Sequence, residues 1–393
     1  MRYFFELGNN PALSIAEIFS ILGARENYKI INNKILIIKS ETELDGKKLI
    51  ERMGGVIKIG KIILEKAEKI SLESLNEYLD KQTKTKTKIF FGFSYYGNKN
   101  INLKPLGMEI KKYFKKKGLA SRWVNSKENI LSSVVVEQNN LLKKGFELAI
   151  IEDGKNFLIG KTIAVQPFKK LSFRDYGRPA RDDHSGMLPP KLAQIMINLA
   201  LAPFASKEDA ILLDPFCGSG TLITEACLIG NKNIIGTDIS SKAVLDAKKN
   251  INWAIKNKEK NNVKIFECDI KKIANKIKKK SIDAIATEPY LGPQRGRVDI
   301  KKTIKELEEL YTKTFARFAK ILKQKSRIVM ILPVFNLGRN KKIFINPNFS
   351  QFKTVSPLPE KLLEKYKNVL SKRGAIIYGR QGQRVWREIL ILE

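Results

Sequence analysis

The sequence predicts an α/β protein, in which a doubly wound, mostly parallel sheet closed by a C-terminal antiparallel hairpin follows two smaller α+β modules. Three observations carry that expectation. Between residues 210 and 332 short apolar runs alternate with amphipathic ones, the strand-then-helix rhythm of a parallel sheet. A glycine-rich turn, Asp214-Pro215-Phe216-Cys217-Gly218-Ser219-Gly220-Thr221, joins the first of those strands to its helix. Between Gln166 and Pro190 the pattern breaks into a polar passage rich in Gly, Pro and Arg, which marks a domain junction.

The first module is expected over residues 1–65. Residues 3–7 read as a strand, and Ser14 with Glu17 three positions on reads as a capping box that opens a helix to Leu22, ended by Gly23. A hairpin follows at 30–39 around Asn32 and Asn33, then a helix at 43–53 closed by Gly54 and Gly55. The second module, 66–165, reads as helix 72–79, strand 88–95, a lysine-studded helix 105–117, strand 132–137 and a hairpin 146–163 turning at Asp153-Gly154. Lysine alternates with threonine over 81–88, the pattern of a solvated linker and a guarded strand edge or of a phosphate-touching edge.

Residues 166–186 are the expected linker, and 187–393 the C-terminal domain. Pro190 suits the first turn of a helix at 191–201, where its missing N–H has no partner to lose. Strands at 210–213, 233–237, 263–267, 282–286 and 327–332 then alternate with helices at 222–229, 242–255, 270–278 and 304–322. Residues 375–380 and 385–392 read as the closing hairpin, and the lysines of 270–280 as a solvated helix face.

Composition narrows the function classes. The chain of 393 residues carries 73 Lys plus Arg against 40 Asp plus Glu, a net charge of +33 that points to a polyanionic partner. A Lys-, Ile- and Asn-rich composition of the kind an AT-rich genome writes gives the same excess. No apolar run approaches the roughly 20 residues of a membrane span. The opening residues, with Glu6 inside the first strand, lack the apolar core and cleavage site of a signal peptide, so a cytoplasmic location is expected. Three cysteines at wide spacing and the single His184 supply no disulfide framework, metal site or Ser-His-Asp triad, and His184 receives no role.

The chemistry gathers at the ends of the predicted parallel strands. The turn from Asp214 to Thr221 lets a ligand approach the backbone closely, at the strand ends where doubly wound sheets bind nucleotide-like cofactors. It is no dinucleotide fingerprint, because Leu222 and Ile223 follow Gly220 without a third glycine, and no Walker lysine is present. Asp238 ends the second strand and suits either the two hydroxyls of a ribose or a helix cap. Asp269 ends the third and suits either an adenine edge or a cap. The fourth strand runs into Thr287-Glu288-Pro289-Tyr290-Leu291-Gly292. There Glu288 can accept from the amine of a flat base, the Pro289 carbonyl can take the second proton, and Tyr290 can stack.

These residues resemble the class I S-adenosylmethionine-dependent methyltransferases of the amino-methylating kind, whose Rossmann-like domain would account for 187–393. The opening Tyr3-Phe4-Phe5-Glu6-Leu7-Gly8-Asn9-Asn10-Pro11-Ala12-Leu13-Ser14, the passage Arg174-Asp175-Tyr176-Gly177-Arg178-Pro179 and Met187-Leu188-Pro189-Pro190-Lys191 resemble the tRNA guanine-N2 methyltransferases, which carry a ferredoxin-like segment and a THUMP domain. The resemblance implies S-adenosylmethionine as cofactor, tRNA as partner, no metal, and N2-methylguanosine, mono- or dimethylated, at or near guanine 10 as product. It also implies a cofactor set of Asp214, Phe216, Cys217, Gly218, Gly220, Thr221, Asp238, Ile239 and Asp269, with Met187 and Leu188 either lining the methionine side or simply packing. Glu288, Pro289 and Tyr290 would form the catalytic corner; Arg174, Arg178 and Arg181 would either grip RNA phosphates or brace the junction.

One departure stands out. The family corner is Asp-Pro-Pro-Tyr-Gly, and in neither gapless register does this sequence reproduce it: starting at Glu288 loses the tyrosine, and starting at Thr287 loses the acid. Two alternatives follow, a DNA adenine or cytosine amino-methyltransferase, against which the N-terminal half argues, and an inactive methyltransferase fold kept for RNA binding.

Overall fold

Two eight-stranded sheets organise the chain, each the centre of its own unit. The computed structural model describes residues 1–23, 25–83, 87–181, 187–204, 208–255, 261–293, 299–338 and 341–393; His184 and part of the 81–88 lysine run lie outside the described residues. The first part of the chain forms β1 (Arg2–Leu7), α1 (Pro11–Leu22), β2 (Tyr28–Ile31), β3 (Ile35–Lys39), α2 (Gly46–Arg52), β4 (Val56–Ala67), α3 (Leu72–Gln82), β5 (Ile89–Tyr96), α4 (Lys104–Lys116), β6 (Ser121–Val124), α5 (Ser133–Gln138), α6 (Leu141–Lys144), β7 (Gly145–Asp153) and β8 (Asn156–Val165). The rest forms α7 (Phe168–Tyr176), α8 (Pro190–Ala200), β9 (Ile211–Asp214), α9 (Thr221–Leu228), β10 (Asn233–Asp238), α10 (Ser241–Ala254), β11 (Asn262–Glu267), α11 (Ile273–Lys276), β12 (Ile282–Thr287), α12 (Ile300–Ile321), β13 (Leu322–Asn336), β14 (Lys342–Phe344), α13 (Glu360–Tyr366), β15 (Ile376–Tyr378) and β16 (Val385–Leu392). Among the described residues no helix is long and apolar enough to cross a membrane.

The first unit comprises Met1–Pro11, Ala24–Glu51 and Gly55–Phe168. Its sheet runs β2-β3-β1-β4-β8-β7-β5-β6, antiparallel except where β5 pairs with β6 and β7. The strand β4, unforeseen in the sequence, crosses residue 65, so the expected division between two modules falls inside a strand of one continuous sheet. Its alternation is disguised by Lys58, whose buried ammonium donates to Glu147 Oε1 at 2.6 Å and Ser94 Oγ at 3.2 Å. Gly60 in the same strand is required by packing, because a Cβ there would lie 2.0 Å from the Phe4 ring. Phe91, Phe114 and Phe146 fill the core beneath β5 and β7, with Phe91 stacked on Phe146 at 5.9 Å.

Several local expectations are corrected here. The helix α1 begins at Pro11, so Ser14 and Glu17 are not its cap; both are buried within it, and Glu17 accepts from Gly54 N at 2.9 Å and Asn198 Nδ2 at 2.8 Å. The expected strand at 132–137 is the helix α5: Ser132 Oγ accepts from Val135 N, and the cap outweighs the strand preference of three consecutive valines. The helix expected from residue 43 starts only at Gly46, where Asp45 Oδ1 accepts from Lys47 N and Lys48 N. Part of the expected linker is the helix α7. The Asn32-Asn33 turn is as anticipated, with φ of 50° and 53°.

The second unit comprises Ala12–Gly23, Arg52–Gly54 and Lys169–Glu393. Its sheet runs β11-β10-β9-β12-β13-β16-β15, with β14 paired to β13. The pairings from β11 to β13 are parallel, and β16 and β15 close the sheet antiparallel. This is the doubly wound sheet with a closing hairpin that the sequence predicts. Strands buried on both faces explain the unbroken apolar runs, such as Ile328 to Leu332. The strand order reverses between β9 and β12, and in such sheets the crevice outside the carboxyl ends at the reversal is where ligands bind.

Candidate active site

The chain leaves β9 at Asp214 and turns through Pro215–Gly220 into α9. Two left-handed glycines shape the turn, Gly218 at φ +49° and Gly220 at φ +82°. A Cβ on Gly220 would stand 2.9 Å from Ala247 Cβ of α10, whereas a Cβ on Gly218 would meet nothing within 4 Å, so Gly218 serves backbone conformation on an open face. The loop is tied to β10 twice: Cys217 N donates to Thr237 O at 2.9 Å and Gly218 N to Asp238 Oδ2 at 2.9 Å.

Asp238 is not the cap of α10. That role belongs to Ser240, whose side chain accepts from Ala243 N, while Asp238 Oδ1 accepts from Ser240 N at 2.9 Å. The neighbouring Ile239 is 68% exposed, an unusual state for a large apolar side chain at a strand end. Asp269 does act as a cap, accepting from Lys271 N at 2.9 Å at the head of the 3-10 turn that replaces the start of the helix expected at 270.

Asp214, the last residue of β9, is buried, 3% exposed. Its Oδ1 accepts from Thr287 Oγ1 at 2.7 Å and from Phe216 N at 3.3 Å. Burial pushes the carboxyl up to about 7; the two hydrogen bonds oppose the shift, and the nearby Asp238 and Glu288 add to it. Burial likewise pushes the Cys217 thiol far up, which makes it a packing residue rather than a nucleophile.

Thr287 ends β12, and the corner follows directly. Glu288 is paired with Arg387 of β16, Nε to Oε1 at 2.6 Å and Nη2 to Oε2 at 3.4 Å. Burial alone would lower the Arg387 guanidinium, but the facing Glu288 carboxylate raises it. Tyr290 is 55% exposed and Leu291 is buried, so Tyr290 is the aromatic that the corner presents. Its carbonyl accepts from the Tyr311 hydroxyl of α12 at 2.5 Å, which fixes the backbone beneath it. Gly292 takes φ +90°, a conformation that favours glycine.

The junction arginines divide. Arg174 forms a two-pronged pair with buried Glu225, at 2.6 and 3.0 Å, and Arg178 is buried, donating to Thr221 Oγ1 at 2.6 Å and Arg174 O at 3.0 Å. These two brace the passage against α9, the second of the alternatives open in the sequence; Arg181 remains exposed. The Thr221 hydroxyl thus accepts from Arg178. Leu188 is buried and Met187 half-buried.

Three residues escaped sequence reasoning. Thr287 and Arg387 act across separations of 73 and 99 residues, and Asn250 bridges Ala180 O and Ser219 O at 2.9 Å each, clamping the junction passage to the glycine turn. No local signal marks them.

The residues present fit S-adenosylmethionine. Ile239 exposes an apolar side chain of the kind that packs on a flat base, and Asp238, whose carboxylate has about four lone-pair sites, uses one on Gly218 and one on Ser240. The open side of Gly218 leaves the backbone of the turn approachable.

A family model for RMKL-like methyltransferase domains matches residues 178–336, and a DNA methylase model matches residues 22–249. The chain is 36% identical over 131 residues to a tRNA (guanine(10)-N2)-dimethyltransferase of Methanocaldococcus jannaschii, covering 32% of this chain and 35% of the relative. It is 31% identical over 179 residues to the enzyme of that name from Pyrococcus abyssi, covering 43% and 48%. The chain thus spans about half or less of the curated relatives it matches. In fold it is similar to a crystal structure of TrmN from Thermus thermophilus, with a TM-score of 0.52 at 14% identity over 100% of this chain and 99% of the other. With the DNA methylase model matched over residues 22–249, more than half of its length, the chain belongs to that methyltransferase family.

Proposed function

We propose that the chain transfers a methyl group from S-adenosylmethionine to the exocyclic N2 of a guanine in tRNA, at or near position 10. The observation that carries this reading is the bond between Thr287 and Asp214, which sets the Glu288 corner beside the glycine turn at the point where the strand order reverses. The relatives' names supply the base and the RNA.

When bound, S-adenosylmethionine supplies a methyl group already activated by its sulfonium, so the protein's task is alignment. Glu288 accepts a hydrogen bond from one N2–H, the Pro289 carbonyl accepts one from the other, and Tyr290 stacks on the base. Asp238 holds the ribose hydroxyls, Ile239 packs on the adenine, and Asp269 lies by its edge. Phe216, Cys217, Gly218 and Gly220 shape the turn, and Met187 and Leu188 stand at the methionine side. A guanine in a stem has to be unstacked before it reaches such a corner, and the first unit is the docking surface that selects it, in keeping with its resemblance to ferredoxin-like and THUMP modules. Its α4 presents Lys111, Lys112, Lys115 and Lys116 to solvent. Arg181, exposed at the junction and donating to Tyr176 O at 3.3 Å, is the junction arginine that would meet a phosphate.

Incubation with labelled S-adenosylmethionine and unmodified tRNA, followed by nucleoside analysis, is expected to place the label in N2-methylguanosine. The DNA methylase match favours a second reading, amino-methylation of DNA, which the same assay on duplex DNA would reveal as labelled adenine or cytosine.

A further inference from the structure

We propose that two basic loops at the carboxyl end of β13 form a phosphate-binding rim for the RNA strand that carries the target base, with Lys341 and Arg380 on its exposed face. The inference rests on the methyl-transfer reading above and deepens it.

The fold brings the two loops to one place. β14 and β16 both pair with the last residues of β13, where Phe335 faces Ile343 on one side and Val385 on the other. The connection into β14 delivers Lys341 and Lys342 to that point, and the hairpin turn between β15 and β16 delivers Arg380 and Arg384. Asn336 ties the strand end to the hairpin turn, its N–H donating to Arg384 O at 2.7 Å and its Nδ2 to Gln383 O at 3.3 Å. Trp386 pins both loops. Lys342 Nζ stands 4.2 Å from its ring centroid, a Cβ on Gly379 would lie 2.2 Å from the ring, and Nε1 donates to Gln383 O at 3.2 Å.

The rim adjoins the Glu288 corner. β13 runs parallel to β12, so its carboxyl end lies on the same edge of the sheet as Thr287. A Cβ on Gly292, two residues beyond Tyr290, would stand 3.5 Å from Phe335 Cζ, at the strand end from which the loops depart.

Charge separates this edge from the opposite one. At the amino edge Lys323 meets Asp283 at 2.8 Å, Lys232 meets Asp209 at 3.2 Å, and Arg327 pairs with Glu393. By contrast, residues 336–344 and 378–387 contain no Asp or Glu. Lys341, Arg380 and Arg384 are exposed. Cations gathered without carboxylates attract a phosphate backbone and release its counterions. Such contacts set the register of a strand without reading its bases. The rim therefore holds the strand while the corner meets the base.

The test measures binding of the full chain to unmodified tRNA across a salt series. Lys341→Ala/Arg380→Ala is expected to reduce the slope of log affinity against log salt by about two, one for each phosphate no longer neutralised, with an unchanged Tm. Lys278→Ala/Lys279→Ala removes the same charge from exposed positions just before β12, at the amino edge, and is expected to keep the wild-type slope. An unchanged slope in the first variant would overturn the inference. So would an equal reduction in the second, which would make net charge the cause, or a reduction seen on duplex DNA and not on tRNA. Binding is read without turnover. A chain that binds tRNA through this rim but transfers no methyl group would thus remove the methyl-transfer reading and leave the rim in place.

Discussion

Thr287 and Asp214, 73 residues apart, share a buried hydrogen bond of 2.7 Å that joins the end of β12 to the end of β9. The glycine turn and the Glu288 corner are thereby held as one piece. Thr287→Val keeps the shape and removes the donor, leaving a buried carboxyl with one partner fewer. A loss of about 1–3 kcal/mol is expected, read as a lower denaturation midpoint with an unchanged slope in urea.

Asp214 makes the fold sensitive to pH. Its carboxyl titrates near 7 in the folded chain, against an ordinary value of 3.8. The folded state then holds the proton more tightly than the unfolded one. Its contribution is complete below the ordinary value and is lost as pH rises from there through about 7, by a few kcal/mol at most on the usual scale of about 1.4 kcal/mol per unit. Asp214→Asn should flatten the fall in stability between pH 4 and 7. A slope equal to that of the wild type would remove Asp214 as its source.

The same group links cofactor binding to protons. S-adenosylmethionine carries a sulfonium and an ammonium, and positive charge near Asp214 favours its ionised form. Binding at pH 6 should therefore release a proton and be weaker than binding at pH 8 by about tenfold at most, one pH unit of proton release corresponding to a factor of ten. Calorimetry in two buffers of different ionisation heat reads the proton directly.

Arg174 and the lysines of α4 should respond to substitution in opposite ways. Arg174→Ala strands the buried carboxylate of Glu225, which burial already pushes upward in pKa against the pull of Arg174, and should cost roughly 3–5 kcal/mol of stability. It should leave the salt dependence of tRNA binding unchanged. Replacing Lys111, Lys112, Lys115 and Lys116 by alanine should do the reverse, leaving stability nearly untouched and reducing the salt slope by about one for each phosphate that a lysine no longer neutralises.

The second sheet was legible because parallel strands buried on both faces write themselves as apolar runs, and because Gly218 and Gly220 announce the turn at its first strand. The first sheet was less so. In β4 the buried Lys58 looks like a surface residue until Glu147 is found 89 positions away. In α5 three valines advertise a strand that the Ser132 cap overrides. At the site, the residues that face the ligand from strand ends are visible in sequence, since each ends an apolar run. Their supports, Thr287 behind Asp214 and Arg387 behind Glu288, come from other strands, and only the pairing of the sheet brings them in. The +33 charge was ambiguous alone. Arg174 and Arg178 are engaged by Glu225 and Thr221, whereas Arg181 and the α4 lysines are exposed.

The central claim, that this chain methylates guanine N2 in tRNA, meets its most direct test in one assay. The chain is incubated with labelled S-adenosylmethionine and unmodified tRNA, and the tRNA is digested to nucleosides. The account predicts label in N2-methylguanosine or its dimethyl form, lost in Glu288→Ala with cofactor affinity retained. Label only in a DNA substrate, or cofactor binding with no transfer to tRNA, would contradict it.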